Sequence, residues 1–115
     1  MRPHVQGDRG SPRLVIGARE ITLPGPIHQA ISWDQKECVV VLLRSPETLL
    51  VFGWDGRLVR TFLPPVGFEL YYMQEHPRVG VSIVCVAAAP VDGWQDWQFA
   101  IDLETGSLER FSPFK

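Results

Sequence analysis

Two tryptophans and two aspartates crowd the stretch Val91-Asp92-Gly93-Trp94-Gln95-Asp96-Trp97. Tryptophan is enriched among the residues that dominate protein–protein binding energy, and flanking carboxylates steer a basic partner towards such an anchor. Pro90 and Gly93 place the stretch in an exposed loop. The same residue types have a structural alternative, in which Trp97 opens a strand and packs inward while Trp94 caps the edge of the core. Trp54 and Asp55 occupy the related place in the first half of the chain and complete the set of candidate binding residues.

No comparable set exists for acid–base, nucleophilic or metal chemistry. His4, His28 and His76 each lack a second His, Cys or carboxylate at ligand spacing, so all three read as surface histidines and no metal site is expected. Cys38 and Cys85 fall in apolar runs, where cysteine packs as a small hydrophobe; a disulfide between them stays open. Neither has the nearby base and electropositive setting of a catalytic thiol. Asp55 and Asp102 stand in turns, where an aspartate bonds to its own backbone. No glycine-rich phosphate loop or nucleophile elbow is present. We therefore expect a binding protein rather than an enzyme, with no catalytic residues and no cofactor.

Composition narrows the partner. The chain has 115 residues, enough for one domain with one core. Its net charge of −2 argues against a binder that works by neutralising nucleic-acid phosphates. The charge is unevenly spread: residues 1–67 hold eight basic and six acidic side chains, residues 68–115 three basic and seven acidic. An acidic second half suits a basic protein partner. The opening octet lacks an apolar stretch and the run from Val81 to Pro90 is too short to cross a bilayer, so we expect no secretory signal, no membrane span and a cytoplasmic protein. Nine arginines against two lysines, with no asparagine, point to a GC-rich bacterial genome.

Positioning these residues falls to strands. No window carries apolar residues at helical spacing between a cap and a stop. Short strand signals recur instead, broken by turn residues. Leu14–Ile16 and Glu20–Leu23 flank Gly17-Ala18 as a hairpin, after a frayed N-terminal tail over residues 1–12. Four strands follow at 27–33, 38–43, 48–54 and 57–62, then four more at 68–73, 81–87, 97–103 and 107–111, with Pro64-Pro65-Val66-Gly67 between the sets. The runs 38–43 and 81–87 do not alternate, which predicts burial of both their faces. Eight to ten antiparallel strands are expected in a single all-β domain over residues 13–115, with units about 27–65 and 68–114. Val39, Val41, Leu43, Val81, Ile83 and Phe99 should be buried.

The two sets of strands repeat one plan. At an offset of 47, Cys38-Val39 matches Cys85-Val86, Phe52 matches Phe99 and Asp55 matches Asp102. After a short insertion, Gly56, Leu58 and Arg60 correspond to Gly106, Leu108 and Arg110. Each unit is a four-stranded meander, the plan of a propeller blade. Ile101-Asp102-Leu103-Glu104-Thr105-Gly106-Ser107-Leu108 resembles the closing turn of quinoprotein-type and WD-like propeller repeats. Residues 21–27, 39–43 and 52–56 resemble those of small bacterial all-β proteins that read as two propeller blades. Phe62 and Phe111 stand where the quinoprotein repeat docks a tryptophan, so no cofactor role is implied.

Two blades do not close a propeller. The meanders must close as a compact barrel or sandwich, or assemble in an oligomer such as a homodimer. Small size, the missing catalytic set and the acidic–aromatic loop make an interaction protein the leading expectation, in concrete form an immunity-type inhibitor of a basic bacterial toxin. A sugar-binding module using Trp94, Trp97, Asp92 and Asp96 is the first alternative. A structural unit of a homo-oligomeric propeller-like assembly is the second.

Overall fold

The computed structural model describes residues 1–114. Eleven strands form among them: β1 (Val5–Gln6), β2 (Arg13–Ile16), β3 (Arg19–Thr22), β4 (Ile27–Trp33), β5 (Cys38–Arg44), β6 (Glu47–Gly53), β7 (Leu58–Phe62), β8 (Phe68–His76), β9 (Gly80–Val91), β10 (Trp94–Asp102) and β11 (Ser107–Pro113). A single 3-10 turn over Asp34–Lys36 is the one helical element among the described residues, and no helix is long and apolar enough to cross a membrane. The fold is all-β. Two compact units divide it, Met1–Thr61 and Phe62–Lys115.

In the first unit, β1, β2 and β3 form a three-stranded sheet and β4 to β7 a four-stranded meander in sequence order. Strand periodicity builds its core. Val39, Val41 and Leu43 project from one face of β5, and their neighbours Phe52 and Leu50 on β6 project with them. Leu14 and Ile16 of β2 join this cluster, with Leu23 and Ile27. The alternate residues Val40, Leu42, Leu49 and Val51 are equally buried, which is why the sequence here is apolar without alternation.

The N-terminal dozen residues are not the frayed tail that their composition suggested. Val5 and Gln6 pair with Ile16 and Val15, adding an eleventh strand. Downstream, Gly10 N donates to Ile27 O at 2.8 Å, Ile27 N to Ser11 O at 2.9 Å and Leu23 N to Pro12 O at 2.7 Å. A Cβ on Gly7 would stand 3.0 Å from side-chain carbons of both Leu14 and Ile27, so glycine lets the segment lie close on the core. Backbone bonding of this kind needs no side-chain pattern. Sequence periodicity is blind to it.

The second unit carries β8 to β11 as one four-stranded antiparallel meander. Across its strands Leu70, Cys85 and Trp97 align in one row and Met73, Ile83 and Phe99 in the next, all buried. On the other face Gln74 donates to Gln98 at 3.0 Å, and Gln98 to Ser112 at 3.1 Å. The six residues expected to be buried are so, at 4% exposure or less. Both four-stranded sheets are open meanders with two edge strands each; neither closes as a barrel.

Strand boundaries in the second unit differ from the sequence expectation, most of all around the expected loop, where β10 starts at Trp94 rather than Trp97. β8 runs on to His76, and β9 extends from Gly80 to Val91. The loop expected from Pro90 to Asp96 thereby shrinks to the two residues Asp92 and Gly93 between β9 and β10.

Candidate functional site

Asp92 has φ 48° and Gly93 φ 85°. Positive φ at both central residues defines the two-residue hairpin turn that matches strand twist, and aspartate followed by glycine is a favoured pair for it. Val91 pairs with Trp94 beside the turn, and Asp96 with Val86 below it. Residues 87–90 of β9 therefore stand opposite Gln95 alone. Such a bulge bends the strand and re-aims side chains near it. Trp94 is thus on a strand at a short, bent hairpin end.

The four candidate residues of this hairpin separate. Trp97 is 8% exposed, and its indole N–H is shared between Val91 O at 3.2 Å and Trp94 O at 3.0 Å. These bonds satisfy the polar end of a buried ring and tie it to the hairpin backbone. Trp94 is 42% exposed. Asp92 is at the tip, where its Oδ2 accepts from Arg110 Nη2 at 3.3 Å. Asp96 shares its strand with Trp97 but takes the other face, towards Tyr72. Burial, then the charge of the Tyr71 phenolate, then the Asp96 charge, push the Tyr72 phenol above its ordinary range. Phe114 N donates to Asp96 O at 2.9 Å, and the Phe114 ring meets Tyr72 edge-on at 5.7 Å.

Arg110 organises the tip and was not among the candidate residues. Its guanidinium lies 4.5 Å from the centre of the Trp97 ring while it bonds Asp92. An exposed ion pair contributes about 0–1 kcal/mol, and an exposed cation–π contact about 0.5–1 kcal/mol. The clamp therefore orients the turn more than it stabilises the unit. The repeat alignment that matches Arg60 with Arg110 marked the position. It gave no sign that β11 would carry the arginine across to a residue eighteen places earlier in the chain.

This arrangement corrects the picture of an exposed loop with two available rings. Trp97 is committed to the core and covered on one side by Arg110, so it supplies no second wall for a sugar held between tryptophans. Asp92 faces a guanidinium of its own unit.

Trp54 and Asp55 lie in the first unit, at the turn between β6 and β7. Trp54 packs against the core cluster, and its buried indole nitrogen has no hydrogen-bond partner among the described residues. Asp55 Oδ1 accepts from Arg57 N at 3.0 Å. Asp102 repeats that device, accepting from Glu104 N at 2.9 Å and Thr105 N at 3.1 Å. Both aspartates shape turns.

Cys38 and Cys85 are free buried thiols, which settles the open question of a disulfide. Burial pushes the Cys38 thiol up to about 11, against a smaller opposite pull from Lys36. At neutral pH it is protonated and hardly nucleophilic. A thiol-reactive dye should thus label neither cysteine at a free-thiol rate until denaturant is added; rapid labelling of the native protein would contradict this packing. Among the described residues, no group of three or more His, Cys, Asp and Glu could hold a metal ion. Comparison with protein-family models, with curated proteins and with solved structures finds no match for this chain.

Proposed function

We propose that the chain is a non-catalytic protein-binding module whose contact surface centres on Trp94 at the β9–β10 hairpin. The observation that carries this reading is a large ring, 42% exposed, on a hairpin whose backbone is already held. The Trp97 indole bonds the carbonyls on both sides of the turn, and Arg110 bonds the turn aspartate. A pre-ordered anchor loses little conformational entropy on binding, so more of its desolvation energy appears as affinity. The excess of acids over residues 68–115 favours a partner with a basic surface. An immunity-type inhibitor of a basic toxin would use both features, the ring to hold and the carboxylates to attract.

The test compares the parent with Trp94→Ala as paired baits in a lysate of the native host, followed by kinetics on the protein captured. Loss of a true anchor costs about 2 kcal/mol, which is a roughly thirtyfold faster dissociation. Asp96→Asn should act mainly on association at low salt, since exposed charges are screened within about 10 Å at 0.1 M. A Trp94→Ala variant that keeps its strand signature and holds the same partner as tightly rules this surface out.

A further inference from the structure

The first unit gathers positive charge around one imidazole. β4 bulges between Ile27 and Gln29, where the register against Leu43 and Leu42 shifts by one residue. The residue in the bulge is His28, taken out of the regular pairing that buries its neighbour Ile27. Arg44, at the exposed end of β5, brings Nη2 to 3.4 Å from His28 Nε2. The bonds linking Gly10 N to Ile27 O and Ile27 N to Ser11 O lay the N-terminal segment along the same bulge. Arg9, exposed and next to Gly10 in the chain, is close enough for its charge to act on His28.

Three basic groups on three segments thus converge at a solvent-facing point. Among the acids, Glu47 stands opposite Arg44 across the β5–β6 hairpin, and Asp8 adjoins Arg9 in the chain. Burial, then Arg44, then Arg9, hold His28 below its ordinary value. Gathering like charges costs free energy that an anion would recover. Guanidinium forks match the spacing of phosphate oxygens and bond them in pairs.

We propose that Arg9, His28 and Arg44 form a binding site for a phosphate group, either inorganic phosphate or a phosphomonoester. In the free site neutral His28 accepts from Arg44. With phosphate between the two, His28 takes up a proton from solvent and donates to a phosphate oxygen, so binding and proton uptake are linked. This site is separate from the Trp94 surface, and neither depends on the other.

Inorganic phosphate is titrated into the isotope-labelled chain at constant ionic strength, following the His28 ring and the Gly10 and Ile27 amides. The expected result is a saturable change with an upward move of the His28 titration midpoint. Arg44→Gln should weaken binding roughly tenfold, the effect of losing one charge-assisted bond. Arg9→Gln serves as the second variant, with amide spectra confirming that each is folded. Vesicles containing phosphatidic acid form a parallel arm: retention of the parent but not of Arg44→Gln assigns the same chemistry to a lipid headgroup, and a response to phosphate without retention assigns it to a soluble ligand. The proposal fails if chloride at equal ionic strength reproduces the response, if phosphate does not saturate, or if both folded variants bind it like the parent.

Discussion

Trp97→Ala is expected to destabilise the protein by about 3–5 kcal/mol, the usual cost of deleting a large buried ring. The ring is 8% exposed within the row formed with Leu70 and Cys85, so its removal leaves a cavity between strands. Its loss also strips the Val91 and Trp94 carbonyls of their shared donor and removes the surface under Arg110. Trp94→Ala, only three residues away, should change stability by no more than about 0.5 kcal/mol, as is usual on a surface. Urea denaturation of the two variants checks both values. Equal losses would show that the hairpin does not divide its tryptophans into one that holds the fold and one that faces outward. This difference also guards the binding test, since only a variant with near-parental stability can report lost contact rather than lost structure.

Leu43→Ala is the second large effect, at about 2–5 kcal/mol. Leu43 is fully buried in the core cluster of the first unit, paired with Ile27 on β4 and with Thr48 on β6. Neighbours anchored in two sheets and on both flanking strands have little freedom to fill the space, which places the cost above that of a simple transfer to water. A loss of 2 kcal/mol corresponds to a fall of roughly 8 °C or more in Tm for a domain of about 60–100 residues. Leu58→Ala on β7, where the side chain is 54% exposed, provides the contrast and should leave the melting temperature nearly unchanged. A Leu43→Ala melt indistinguishable from that of Leu58→Ala would contradict the packing described here.

The strands were legible because their signals are local. Cys38–Leu43 is apolar throughout and Val81–Ala87 is apolar but for Ser82, and turn residues bound them closely enough to mark strand type and burial together. Asp55 and Asp102 were readable as turn formers for the same reason, since each bonds an amide two or three residues further on. The candidate site was legible in its residue types alone. Gly93 and Pro90 suggested a loop, but β9 continues past Pro90 in a bulge, and the Val91–Trp94 pair leaves only Asp92 and Gly93 to turn.

The N-terminal strand, the different burial of Trp94 and Trp97, and the contacts of Arg110 and His28 were decided by tertiary structure. Val5 and Gln6 are held by backbone pairing with β2, which leaves no periodic trace in side-chain identity. Trp94 and Trp97 are the same residue type in the same segment. A bulge and the pairing of β10 with β9 separate an exposed ring from a buried one. Arg110 reaches Asp92 because β11 folds back along β10, and Arg44 reaches His28 because β5 folds back along β4. Spacing along the chain reports neighbours within a strand or a turn. Contacts between strands depend on register, and register is set by the packing of whole sheet faces, one slipped residue being enough to send every side chain to the other side.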